Sequence, residues 1–266
     1  MKKRILAVLI ATALAVSVTG CAGNATSSSD STSASSVAES SDTSTQTSSD
    51  TSSEDESKEE SSQEESKDLE ANYTKYTLDG DLTQHMIDMS RLNEGNKVRL
   101  ANVIKKLKNG EEVTVGFIGG SITQGTSAGN DLCYAKLTAD WLQKTYSNAK
   151  INYVNAGIGA TGSYIGVHRV ENDLLSKKPD LVFVEFSVND TTENTERNKK
   201  SYDGLLRTIW KSSTNPAIIT IATTQEDGTS FQDQHAEIVK HYDLPMISYR
   251  NTILDTIKHG LSLIHI

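Results

Sequence analysis

The 266-residue chain has room for one domain with appendages, or for two small domains, and its formal charge of −9 comes mainly from one stretch. Residues 22–70 hold 13 acidic groups and two lysines, Lys2, Lys3 and Arg4 are positive, and the remainder is close to neutral. The acidity therefore carries no message about a ligand, and the lack of a basic field excludes nucleic acid as a partner class.

Lys2, Lys3 and Arg4 precede an apolar run over residues 5–18. That run is shorter than the ~20 residues of a bilayer span and has the form of an export signal. Val18-Thr19-Gly20-Cys21 closes it and resembles a bacterial lipoprotein box. The resemblance implies a signal peptide over residues 1–21, lipid on Cys21 and anchorage at the outer face of the bacterial cell membrane. The second cysteine, Cys133, has no motif around it and is expected in the core. No disulfide can then form within a lipidated mature chain. Residues 22–71 are mostly Ser, Thr, Asp, Glu, Gln and Ala. They cannot bury enough surface to offset chain entropy and are expected to form a disordered tether.

From residue 72 to about 260 the composition is globular. Val98, Leu100, Val103, Ile104 and Leu107 recur at helical spacing and predict a helix over 97–107, ended by Asn109-Gly110. A strand over 113–118, a helix over 134–146, a strand over 151–155 and a helix over 164–175 follow. Residues 181–186 (LVFVEF) form an apolar run suited to a strand buried on both faces. A helix over 202–210, a strand over 217–222, a helix over 231–242 and a strand over 246–249 complete the series. Pro179, Pro216 and Pro245 each stand just before a strand, where the missing N–H breaks no ladder. Alternation of this kind predicts an α/β fold with a five-stranded parallel sheet covered on both faces. Ligands of such sheets bind at the carboxyl ends of the strands.

Nine of the 17 glycines lie between Gly116 and Gly166, which concentrates tight backbone turns at those ends. Gly119-Gly120-Ser121-Ile122-Thr123 follows the first strand directly. Ser121 is either a nucleophile, part of an anion-binding loop, or part of a plain turn. No Lys-Ser/Thr follows the second glycine as a Walker-type loop requires. Gly125-Thr126-Ser127-Ala128-Gly129 has the Gly-x-Ser-x-Gly spacing of a nucleophile elbow, but it lies in a polar loop past the strand end and is read as loop. Asn155-Ala156-Gly157-Ile158-Gly159-Ala160-Thr161-Gly162-Ser163 follows the second strand, and Val188-Asn189-Asp190 follows LVFVEF. Three clusters after three strands can meet in one cleft, where the Asn189 amide is suited to donate to a developing oxyanion. Tyr134, Tyr164 and Arg169 are candidates either for the cleft wall or for packing.

In this order, GGSIT, NAGIGATGS and VND resemble the first three blocks of the SGNH (GDSL) hydrolase superfamily, over residues 96–260. The resemblance implies a three-layer, flavodoxin-like SGNH fold with Ser121 as nucleophile. Its oxyanion hole would use the Ser121 N–H, a backbone N–H of the second block and the Asn189 side chain. Secreted bacterial members that deacetylate carbohydrate are the most similar. No metal or cofactor is implied.

Two departures stand out. The family's second-block glycine is Ala160 here, which keeps an N–H, and Gly159 or Gly162 could take the role instead. The family's late Asp-x-x-His segment, which supplies the base and its orienting carboxylate, does not occur. Asp233 and His235 have the wrong spacing and lie on the helix over 231–242, where a solvated face is expected; Asp255 and His259 have a four-residue offset and lie before the expected place, and both pairs are read as ordinary surface residues. His235 and His241 do not share a helical face as a metal pair would. The closing Leu261-Ser262-Leu263-Ile264-His265-Ile266 resembles a translated sequencing-adapter end, so the reading frame is expected to continue into the missing catalytic segment. The functional expectation is an extracellular serine esterase that removes acetyl or other short acyl groups from carbohydrate, inactive without that segment. An acyltransferase on the same fold and a non-catalytic glycan-binding lipoprotein are the alternatives.

Overall fold

The computed structural model describes residues 84–191 and 195–258. The export signal, Cys21, the acidic stretch, His259 and residues 261–266 lie outside the described residues.

The described chain begins with helix α1 (Gln84–Ser90), strand β1 (Arg91–Asn93) and helix α2 (Val98–Lys108). Strand β2 (Glu112–Gly119) leads into a single helical turn, α3 (Ser121–Gln124). Helix α4 (Tyr134–Thr145), strand β3 (Lys150–Gly157), helix α5 (Ser163–Asp173) and strand β4 (Leu181–Glu185) come next. A 3₁₀ turn (Asn189–Thr191) follows β4, and helix α6 (Thr195–Trp210) precedes strand β5 (Ala217–Ala222). Helix α7 (Gln232–His241), strand β6 (Met246–Ser248) and helix α8 (Tyr249–Lys258) close the series.

The sheet has six strands in the order β1-β6-β5-β4-β2-β3. Five are parallel, and β1 runs antiparallel to β6 with Arg91 opposite Ile247. The expectation of five strands is thereby corrected. Arg91-Leu92-Asn93 lacks an apolar run and becomes a strand only because the edge of β6 offers it backbone partners. Taken alone, the five parallel strands stand in the order second, first, third, fourth, fifth, which is the flavodoxin-like arrangement.

Period-two alternation along the strands feeds two cores. On one face Val113, Val115, Phe117, Phe183, Ile219 and Ile221 pack against Leu100, Val103, Ile104 and Leu107 of α2 and Leu142 of α4. On the other, Ile118, Val182, Val184, Ile218 and Ala222 pack against Val170 of α5, Leu205 and Ile209 of α6 and Val239 of α7. Both faces are covered, so β4 and β5 are buried along their whole lengths. Cys133 is buried and unbridged, as expected.

Helix α8 was not foreseen, and Tyr249 belongs to it rather than to the last strand. Its Thr252 hydroxyl donates to the Met86 carbonyl at 3.1 Å, and Asp255 meets His85 Nε2 at 2.9 Å. Asp255 is therefore tied to α1 and is not the free surface carboxylate expected. Within the sheet, β2 and β4 are neighbours whose crossovers leave in opposite directions, to β3 and to β5. A crevice at their carboxyl ends is where such a fold takes ligands. Ser121 follows β2 and Asn189 follows β4.

Candidate active site

Gly119 pairs in register with Glu185, so the turns after β2 and β4 leave the sheet at the same level. Gly120 precedes α3, and a Cβ built on it would lie 2.1 Å from Asn189 Oδ1. Glycine there lets the Asn189 amide rest against the backbone just before Ser121; any side chain would push it off. Ser121 opens α3, where N–H groups have no intrahelical acceptor. Its side chain is partly exposed.

The second block closes on α3 from the other side. Asn155 Nδ2 donates to the Thr123 carbonyl at 2.8 Å, while its Oδ1 accepts from the Gly157 N–H at 2.9 Å. The Gly159 N–H donates to Gln124 Oε1 at 2.7 Å. That bond removes Gly159 as an oxyanion donor. Ala160 comes next and holds φ of 59°, the left-handed conformation a glycine adopts without steric cost. Neither the Ser121 nor the Ala160 N–H finds an acceptor among the described residues. The structure brings the turns that carry Ser121, Ala160 and Asn189 together at one end of the sheet.

Arg169 lies beneath the crevice rather than in its wall. Its guanidinium donates to the Ala156 carbonyl at 2.5 Å and the Gly119 carbonyl at 3.1 Å, clamping the ends of β3 and β2. Tyr134 is a core residue with its hydroxyl 2.9 Å from Thr123 Oγ1. Tyr164 is exposed, with the Arg197 guanidinium over its ring at 4.8 Å. Ser127 lies exposed in the loop that follows α3, as read.

Two buried acidic groups support the third block. Glu185 Oε1 accepts from the Thr223 hydroxyl at 2.6 Å and from the Ser187 N–H at 3.1 Å, but Oε2 has no partner. Burial pushes the Glu185 carboxyl above its ordinary range. The other group is Asp190. Its Oδ1 accepts from the Ser163 N–H at 2.8 Å, and its Oδ2 lies 2.9 Å from His235 Nε2.

This last pair overturns the reading of His235 as a surface residue. The side chain of His235 is 0% exposed, and burial lowers its pKa. A signal was present in the sequence: Phe231, His235 and Val239 recur every fourth residue, which places the imidazole on the apolar stripe of α7. Asp233, on another face of the helix, is exposed beside Arg250, as expected. No histidine is hydrogen-bonded to Ser121 among the described residues. No cluster of metal-ligating side chains occurs among them either.

The sequence profile of the GDSL-like Lipase/Acylhydrolase family matches residues 117–246, from the middle of β2 to the start of β6. The chain is thus similar to the GDSL-like lipase/acylhydrolase family over residues 117–246. Two solved structures of a two-domain esterase (CEX) active on acetylated mannans are similar to it. One, co-crystallised with mannopentaose, is 41% identical with a TM-score of 0.62; the other is 40% identical with a TM-score of 0.63. Each comparison covers 65% of this chain and 47% of the other, so the chain spans about half the length of these structures. No curated protein matches the chain. The GDSL-like match spans the turns that carry Ser121, Ala160 and Asn189.

Proposed function

We propose that the protein is a carboxylic ester hydrolase that works outside the cell on acetyl or other short acyl groups of carbohydrate. The observation that carries this reading is the convergence of Ser121 with the Asn189 amide and the Ala160 N–H at the carboxyl ends of β2, β4 and β3. Ser121 Oγ attacks the ester carbonyl carbon, and the carbonyl oxygen takes the negative charge. The Ser121 and Ala160 N–H groups and the Asn189 side chain stabilise that charge, as preorganised donors do in acyl transfer. The alcohol leaves with a proton, and water attacks the acyl-serine to release the acid.

The family resemblance assigns the proton transfers to an imidazole of an Asp-x-x-His segment, which residues 1–266 do not contain. His235 cannot substitute, because it is enclosed and its Nε2 is engaged by Asp190. Residues 1–266 alone are therefore expected to keep only the share of catalysis due to the hole and to binding. In a serine protease stripped of triad members that share is about 10³–10⁴ over water.

Carbohydrate as the substrate class is supported by the 41% identity to an esterase active on acetylated mannans. The test is acetate release from acetylated mannan oligosaccharides by the wild type and by Ser121→Ala. Equal release by the two would overturn the reading. Export and lipid attachment are supported by residues 1–21 and are tested by labelled fatty-acid incorporation, lost in Cys21→Ala. A second reading is glycan binding without turnover on the same fold. It requires binding of acetylated glycan with no acetate released at any enzyme concentration.

A further inference from the structure

Two of the three proposed oxyanion donors, the Ala160 N–H and the Asn189 amide, sit on different turns, and one buried carboxylate lies against both turns. Asp190 is the residue after Asn189. Its Oδ1 accepts from the N–H of Ser163, three residues after Ala160 and the first residue of α5. The capping position of that helix is Gly162, which has no side chain to cap with, so Asp190 satisfies the N-terminus from another element. The Asp190 backbone is fixed as well: its N–H donates to the Phe186 carbonyl and its carbonyl accepts from Asn198 Nδ2, both at 2.9 Å.

The remaining carboxylate oxygen is held by His235 alone among the described residues. Nε2 lies 2.9 Å from Asp190 Oδ2, and Nδ1 is buried without a partner. A proton on Nδ1 would be a donor sealed from both water and acceptors, which is costly. The imidazole is thus the neutral Nε2–H tautomer and donates to Asp190. Its plane is set by Tyr202, stacked at 3.6 Å between ring centroids, and by the edge contact with Phe231 at 5.2 Å. We propose that His235, acting through Asp190, is a positioning residue that holds the Ala160 and Asn189 donors at a fixed separation. The proposal rests on the esterase reading and assigns a role within that same site.

A variant pair separates positioning from mere packing. His235→Leu fills the space under Tyr202 without a donor, and His235→Gln restores an N–H near Nε2. Gly162→Ala reaches the same carboxylate with His235 intact. The backbone of Gly162 (φ −93°, ψ −176°) suits any residue, but a Cβ there would lie 2.5 Å from Asp190 Oδ1. Amide spectra of the ¹⁵N-labelled full chain are recorded beside turnover of a small acetyl ester. The Ala160 N–H and the Asn189 side-chain amide should shift in His235→Leu and in Gly162→Ala, and return to wild-type positions in His235→Gln. The kcat should fall by up to about 10²-fold in His235→Leu, as for a misplaced catalytic group, with KM nearly unchanged. Glutamine should recover most of that loss. Unmoved resonances in folded His235→Leu and Gly162→Ala, or equal behaviour of Leu and Gln, would overturn the proposal. No ester turnover by a chain that carries the Asp-x-x-His segment would sink the esterase reading alone, because the resonance comparison still decides the positioning role.

Discussion

Ala160→Gly isolates the consequence of putting alanine where the family has glycine. Ala160 holds φ of 59°, a conformation that costs an L-residue about 1–2 kcal/mol relative to glycine. Glycine would relieve that strain but would also loosen the unfolded chain, which costs about 0.4–1 kcal/mol. The Ala160 side chain is exposed, so little burial is lost with the methyl. The net expectation is a gain of about 0.5–1 kcal/mol. For a domain of this size, about 2–4 °C accompanies each kcal/mol, so Tm should rise by about 1–4 °C. Thermal melts of the two proteins at matched concentration and pH make the measurement. A lower Tm in Ala160→Gly would refute the left-handed assignment on which the second-block donor rests.

Gly157→Ala should act in the opposite direction. Its Cβ would lie 2.3 Å from Gln124 N and 2.7 Å from Gln124 Cα, backbone atoms that cannot swing aside. A loss of about 1–3 kcal/mol in urea melts is expected, with displacement of α3 and a lower kcat. Glu185→Gln tests the buried carboxyl. The folded pKa of Glu185 lies above its unfolded value, so the native state holds the extra proton, and stability from this group falls as pH rises from about 4.3 upward. Glu185→Gln should therefore gain stability relative to the wild type as pH rises above about 4.3; a constant difference would contradict the raised pKa. His235 has the reverse sign. Its folded pKa is lowered, so below about pH 6.5 the unfolded chain takes up a proton that the native state refuses. The wild type should lose stability relative to His235→Gln as pH falls through that value, and parallel melts at each pH would show it.

The five parallel strands were legible because each is an apolar run of strand length bounded by turns and, in three cases, by a preceding proline. Strand β1 was not, since Arg91-Leu92-Asn93 carries no pattern of its own and is recruited by a neighbouring edge. The first seven residues of α6 (195–201) are polar and were missed for the same reason: only Asn198 and Ser201 are buried there, and through polar side chains. Ser121 and Asn189 were legible from their places after strands β2 and β4. Ala160 could be named as the donor, but its left-handed φ and the engagement of Gly159 by Gln124 depend on tertiary contacts. His235 stands close to Asp233 in the sequence and reads as a surface residue, but the four-residue stripe it shares with Phe231 and Val239 turns it into the core. Its partner Asp190 is 45 residues away, which no local pattern reveals.

The account's central claim is that Ser121 is a nucleophile facing preorganised donors. The most direct measurement is peptide mass spectrometry of the chain quenched during reaction with an activated acetyl ester. The account predicts an acetyl adduct on the peptide that contains Ser121, absent in Ser121→Ala and formed about 10²–10³-fold more slowly in Asn189→Ala. An adduct on another residue, or acetate release that continues unchanged in Ser121→Ala, would contradict it.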